Sequence, residues 1–123
     1  MMRIIALFGL LLCPTVTHAA EDVAAAECGA LYRGHDLYER AHFSPEDVSD
    51  GWSVMSNDFV AAATRLGADQ KTISDALARA PRWAEAINAH ILGSDAKLSA
   101  AFEAQEQVCA NLIQRLPEMT PHR

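Results

Sequence analysis

The sequence predicts an all-α domain, an up-down-up-down four-helix bundle, from three observations. Along four stretches the apolar residues recur at steps of three and four, the spacing that lines one side of a helix. No run alternates with the period of two that a half-buried strand needs. Cys28 and Cys109 fall on the stripes of the first and last stretches, which such a bundle makes antiparallel neighbours.

A leader stands in front of the domain. Residues 1–20 read as a secretory signal peptide, with a positive start at Arg3, an apolar run from Ile4 to Leu12 and a small-residue end. Thr17-His18-Ala19 fits the small-x-Ala cleavage pattern, and cleavage after Ala20 is the alternative. The apolar run is about half of the ~18 residues expected of a spanning helix, so stable membrane insertion is not expected after cleavage. Leu12 stands where a lipobox ending at Cys13 would carry Gly or Ala, so no lipid is assigned there. The domain is expected at 21–117 and a loose C-terminal tail at 118–123.

The first helix is expected over 21–41. Ala24, Cys28, Leu31, His35 and Tyr38 form its stripe, and Asp36 with Arg40 makes an i, i+4 pair on the outer side. Gly34, beside the stripe, lets a neighbouring helix approach closely. The second helix is expected over 44–67, with Val48, Trp52, Met55, Phe59, Ala62 and Leu66 along one side. Ser44 reads as its N-cap, Pro45 as its first position and Gly67 as its stop. Phe43 and Val48 are placed to staple its entry.

A third helix is expected from Asp69 to Ile91, with Ile73, Leu77, Ala80, Ala84, Ile87 and Ile91 in register. Pro81 interrupts it. A proline there either kinks the helix or divides it at Arg79, and the unbroken apolar phase favours a kink. Gly93-Ser94-Asp95 stops this helix and caps the next, which runs to Leu116 through Leu98, Phe102, Gln105, Cys109 and Leu112. Pro117 ends it.

Composition narrows the function classes. Without the leader the chain carries nine Lys and Arg against sixteen Asp and Glu, a net charge of −7. An acidic domain with no basic stripe repels phosphates, which argues against nucleic acid and anionic lipid heads. In an exported protein the remaining pair, Cys28 and Cys109, reads as a disulfide. No CxxC, CxxCH or Cys/His cluster supplies ligands for redox chemistry, covalent haem or structural zinc.

Catalytic constellations are equally scarce. Glu39-x-x-His42 has the spacing of di-iron carboxylate bundles, but the second copy that such a site requires is missing. Ser44, Ser94 and Ser49 read as caps or helix-surface residues, and no serine sits in a nucleophile elbow. The acidic pairs Glu21-Asp22 and Glu46-Asp47 stand at helix starts, where the dipole accounts for them. Neither an enzymatic activity nor a cofactor is expected. The alternative is a haem or metal site built from His35 with Met55 or His90.

A surface remains. Arg79, Arg82 and Trp83 make a small basic and aromatic patch around Pro81 in an otherwise acidic chain. Trp and Arg are the residues most often found at binding hot spots. A structural role competes with this: Trp83 widening the core face beside Ile87, and the arginines paired to Asp75 and Glu85. The reading that results is an exported, periplasmic-type helical module that acts by binding an envelope protein or a small apolar ligand.

Overall fold

The computed structural model describes residues 18–123, and among these every regular element is helical. Helix α1 spans His18–His42, α2 Gly51–Arg65, α3 Gln70–Leu77, α4 Ala80–Leu92 and α5 Ala96–Arg115. One 3-10 turn, Pro45–Asp47, precedes α2, and another, Pro117–His122, closes the chain. Except for its last three positions, which open α1, the expected leader lies outside the described residues. Among the described residues no helix is long and apolar enough to cross a membrane.

The fold is built around α1, which packs against each of the other four helices. Small residues make this possible. Ala25, Ala26 and Ala30 are buried on it beside Cys28 and Leu31. At Gly29 the chain of α2 comes so close that a Cβ would meet the Val60 side chain at 3.2 Å, and the buried Ser56 hydroxyl donates to the Gly29 carbonyl at 2.7 Å. At Gly34 α4 is seated in the same way, as the sequence predicts. A Cβ there would lie 2.6 Å from Trp83 Cβ and 3.0 Å from the Ala80 carbonyl oxygen.

The expected bridge is present. Cys28 and Cys109 are joined, with Cα atoms 5.5 Å apart, and the Gln105 amide lies over both sulfurs. Arg115 of α5 pairs with Glu21 of α1 at 2.9 Å, so the two helices run antiparallel. The helix stops also fall where the sequence puts them. Gly67 and Gly93 take positive φ, while the Asp69 carboxylate accepts from Thr72 N and the Asp95 carboxylate from Lys97 N and Leu98 N, in the first turns of α3 and α5.

Several expectations change. The second helix does not begin at Ser44, whose side chain caps nothing; the turn it opens closes at Val48, which is extended. Helix α2 starts only at Gly51, because Glu39 of α1 ties down the intervening chain by accepting from Ser49 N at 3.1 Å and Trp52 Nε1 at 2.7 Å. Phe43 does not staple the turn either. It is half-exposed and meets the Tyr38 ring edge-on at 6.3 Å.

The third helix of the expected four is two helices, so the described residues hold five. Pro81 has no N–H to give the Leu77 carbonyl, and it takes a place in the first turn of α4, where none is required. Helix α3 ends in a tightened turn, with Arg79 N donating to the Ala76 carbonyl at 2.9 Å. The apolar phase survives this break, which is why spacing alone suggested a kink. Asp36 also departs from expectation. Its pair with Arg40 forms at 2.9 Å, but Asp36 is buried and its Oδ1 meets no donor among the described residues.

The tail is not loose. Met119 is fully buried, and His122 Nε2 lies 2.7 Å from Asp58 Oδ2 on α2. Arg123 donates to the Ile113 carbonyl, for which Pro117 offers no N–H, and shares the Leu116 carbonyl with Met119 N. The rule that terminal residues fray fails here because this segment carries its own apolar anchor.

Candidate functional site

Two of the concavities on the described surface take in the candidate residues. The smaller, about 240 Å³, lies between α4 and α5 and is lined by Arg79, Arg82, Trp83 and Ala86 with Leu98 and Ala101. All three residues of the patch read from the sequence thus face one cleft. Its floor is apolar, and its basic groups stand at one side. The α5 half of the wall, Leu98 and Ala101, was not read from the sequence; small and apolar positions at the start of an amphipathic helix carry no distinguishing signal.

Local structure fixes the two arginines differently. Arg79 stands in the turn between α3 and α4 and reaches back to Glu27 of α1, forming a two-point ion pair. The carboxylate raises the Arg79 pKa, first through that hydrogen bond. The expected alternative partner, Asp75, pairs instead with Lys71 at 2.7 Å. Arg82 is exposed and takes part in none of the ion pairs among the described residues. Trp83 is partly buried against the core over Gly34, and its Nε1 is buried without a hydrogen-bond partner among the described residues. A lone buried donor of this kind costs on the order of 1–3 kcal/mol unless an acceptor reaches it.

The larger concavity, about 350 Å³, opens where α1, α2, α4 and α5 meet. His35 and His90 both line it; Met55 does not, and packs instead against the core as a partly buried filler. A His35–Met55 ligand pair is therefore not assembled on this cleft. His35 lies between rings, its centroid 4.2 Å from Trp52 and 5.7 Å from Tyr32 in stacked geometry, with Phe102 edge-on at 5.6 Å. Burial lowers its pKa from 6.5 to about 4, against a weaker upward pull from Glu39, so the ring is neutral at neutral pH. The same burial, helped by Glu106, raises Tyr32 to about 12. His90 is engaged elsewhere: its Nδ1 lies 2.7 Å from Ser99 Oγ and 3.6 Å from Glu103.

Among the described residues no three His, Cys, Asp or Glu side chains converge on a metal-sized site. His42 of the Glu39-x-x-His42 pattern turns back to its own helix, Nδ1 lying 2.8 Å from the Tyr38 carbonyl oxygen, and Glu39 is spent on Ser49 and Trp52. The sequence missed the aromatic residues that Tyr38, Phe43 and Trp52 bring together around this cleft. Their crowding within fifteen positions was the available signal. The sequence matches no protein-family model, and comparison with curated proteins and solved structures returns no match.

Proposed function

We propose that this protein is an exported, non-enzymatic binding module of a cell envelope, and that its partner docks in the cleft between α4 and α5. One observation carries the reading: Arg79, Arg82 and Trp83, singled out as the basic and aromatic departure from an acidic chain, line a single apolar concavity. The Cys28–Cys109 bridge suits an oxidising compartment. The up-and-down bundle, with α3 and α4 together taking the third place, remains our reading of the topology.

Size decides what kind of partner fits. At about 240 Å³ the cleft is smaller than the roughly 300–1,000 Å³ of small-molecule sites. It suits one apolar side chain of a partner protein, with an acidic neighbour reaching Arg82. Arg79, held by Glu27, shapes the wall and adds field rather than a free contact. The haem or metal alternative has His35 and His90 on a common cleft in its favour, but no third ligand and no Met55.

The test is recovery of the partner by the immobilised mature protein, with a photo-crosslinker at Ala101 reporting from the cleft wall. Wild type should crosslink one partner from position 101, and Arg82→Glu should lose it with an unchanged thermal midpoint, since exposed charges add little to stability. Equal recovery by the two proteins, or a crosslink indifferent to the substitution, rejects the site.

A further inference from the structure

The larger cleft has a chemistry of its own, independent of the α4–α5 site. Four aromatic rings wall it: Tyr38, Phe43, Trp52 and Phe102. Trp52 is pinned by its Nε1 bond to Glu39 at 2.7 Å and by its stack on His35 at 4.2 Å. Two carboxylates, Glu39 and Glu106, line it, and no Lys or Arg among the described residues does. Glu106 is exposed and enters no ion pair among the described residues, so its charge is available. From this cage of rings and carboxylates we infer that the cleft binds a small organic cation, a quaternary ammonium group with an apolar body.

Each component contributes to that selectivity. The faces of aromatic rings are the negative ends of their quadrupoles and attract a cation, most when it is desolvated between several of them. The carboxylates set the sign of the field, in a domain whose net charge without the leader is −7. The imidazole of His35 stays neutral, so it adds ring surface without repelling a positive ligand. At about 350 Å³ the cavity falls within the size range of small-molecule sites. A methylated ammonium is too large to be hydrated tightly and cannot hydrogen-bond, and the cleft offers it surface rather than donors.

Choline and its neutral isostere 3,3-dimethyl-1-butanol separate charge recognition from apolar burial. Titrated into the mature protein and followed by ligand and indole NMR shifts, choline should bind about tenfold more tightly than the alcohol. Glu106→Gln should weaken choline severalfold and leave the alcohol unchanged. Phe43→Leu, a change at a half-exposed position, should weaken choline with no change in thermal midpoint. Arg82→Glu should leave both probes unaffected, which separates this site from the α4–α5 cleft. Equal binding of the two probes, or no shift with either, overturns the proposal.

Discussion

Gly34 of α1 lies directly beneath Trp83 of α4, so close that a Cβ on the glycine would stand 2.6 Å from the Cβ of the tryptophan. The contact sets the distance between the central helix and the helix that carries the candidate binding patch. Because the other near atoms are backbone, the Ala80 oxygen and Ala84 nitrogen at 3.0 Å, no side-chain rotation relieves it.

Gly34→Ala should therefore destabilise the fold. Alanine gains up to about 1 kcal/mol in helix propensity, but overpacking costs about 1–3 kcal/mol, and here a whole helix must shift. A lowered urea midpoint is expected. A midpoint equal to or above that of wild type would show that α4 does not sit against α1 at this point.

Reduction of Cys28–Cys109 should lower the thermal midpoint and leave helicity intact. The bridge spans a sequence separation of 81, for which loop-closure entropy gives about 4 kcal/mol. The helices keep their buried faces without it, so far-UV circular dichroism below the transition should hardly change. Collapse of that signal on reduction alone would mean that the bridge, rather than the stripes, holds the helices.

Acid should expose the cost of burying His35. Its folded pKa, about 4, lies below the ordinary 6.5, so the unfolded chain takes the proton first. Stability from this group is complete above pH 6.5, falls as the pH drops towards 4, and is constant below. The loss is at most on the order of 3 kcal/mol, and less where solvent reaches the ring. Glu118, whose pKa Arg65 lowers, loses its contribution only at more acid pH. His35→Phe keeps a ring in the stack and should flatten the slope between pH 4 and 6.5. An unchanged slope in that variant would place the titration elsewhere.

Trp52→Ala should cost about 3 kcal/mol, the lower end of the range for buried aromatic residues, because Trp52 is only partly buried. Glu46→Ala should stay within about 0.5 kcal/mol, since Glu46 is exposed in an isolated 3-10 turn. Chemical denaturation of the two variants side by side makes the comparison, and similar losses would contradict the packing of α2.

What the sequence carried was local. Gly67, Gly93, Asp69 and Asp95 each bound a helix by chemistry contained within a few residues, and all four act as expected. The register that joins Cys28 to Cys109 was legible for the same reason. Ser44-Pro45 looked like an equally good start, yet Glu39, ten residues back from Ser49, displaces it through hydrogen bonds that no window of spacing contains. At the candidate site the α4 residues stood out by charge and ring, whereas the α5 wall and the aromatic cage depend on which helices meet.

The C-terminal segment provides the last prediction, because its role is wholly tertiary. Met119 is fully buried beneath the end of α5, and five polar contacts fasten the residues around it. Glu118 receives both oxygens' worth of contact from Arg65 Nε, at 2.9 and 2.8 Å. His122 meets Asp58 at 2.7 Å, and Arg123 closes two carbonyls at the end of α5. Most of these are polar and partly exposed, so the buried methionine dominates; losing such a side chain costs about 2–5 kcal/mol. Truncation after Pro117 should lower stability by at least that much, and Met119→Ala should account for most of the loss. Arg65→Ala, which removes a pair exposed on the arginine side, should cost far less than Met119→Ala. If the truncated chain melts with wild type, the segment contributes nothing to the core, and the Ile113 and Leu116 carbonyls are met by solvent instead.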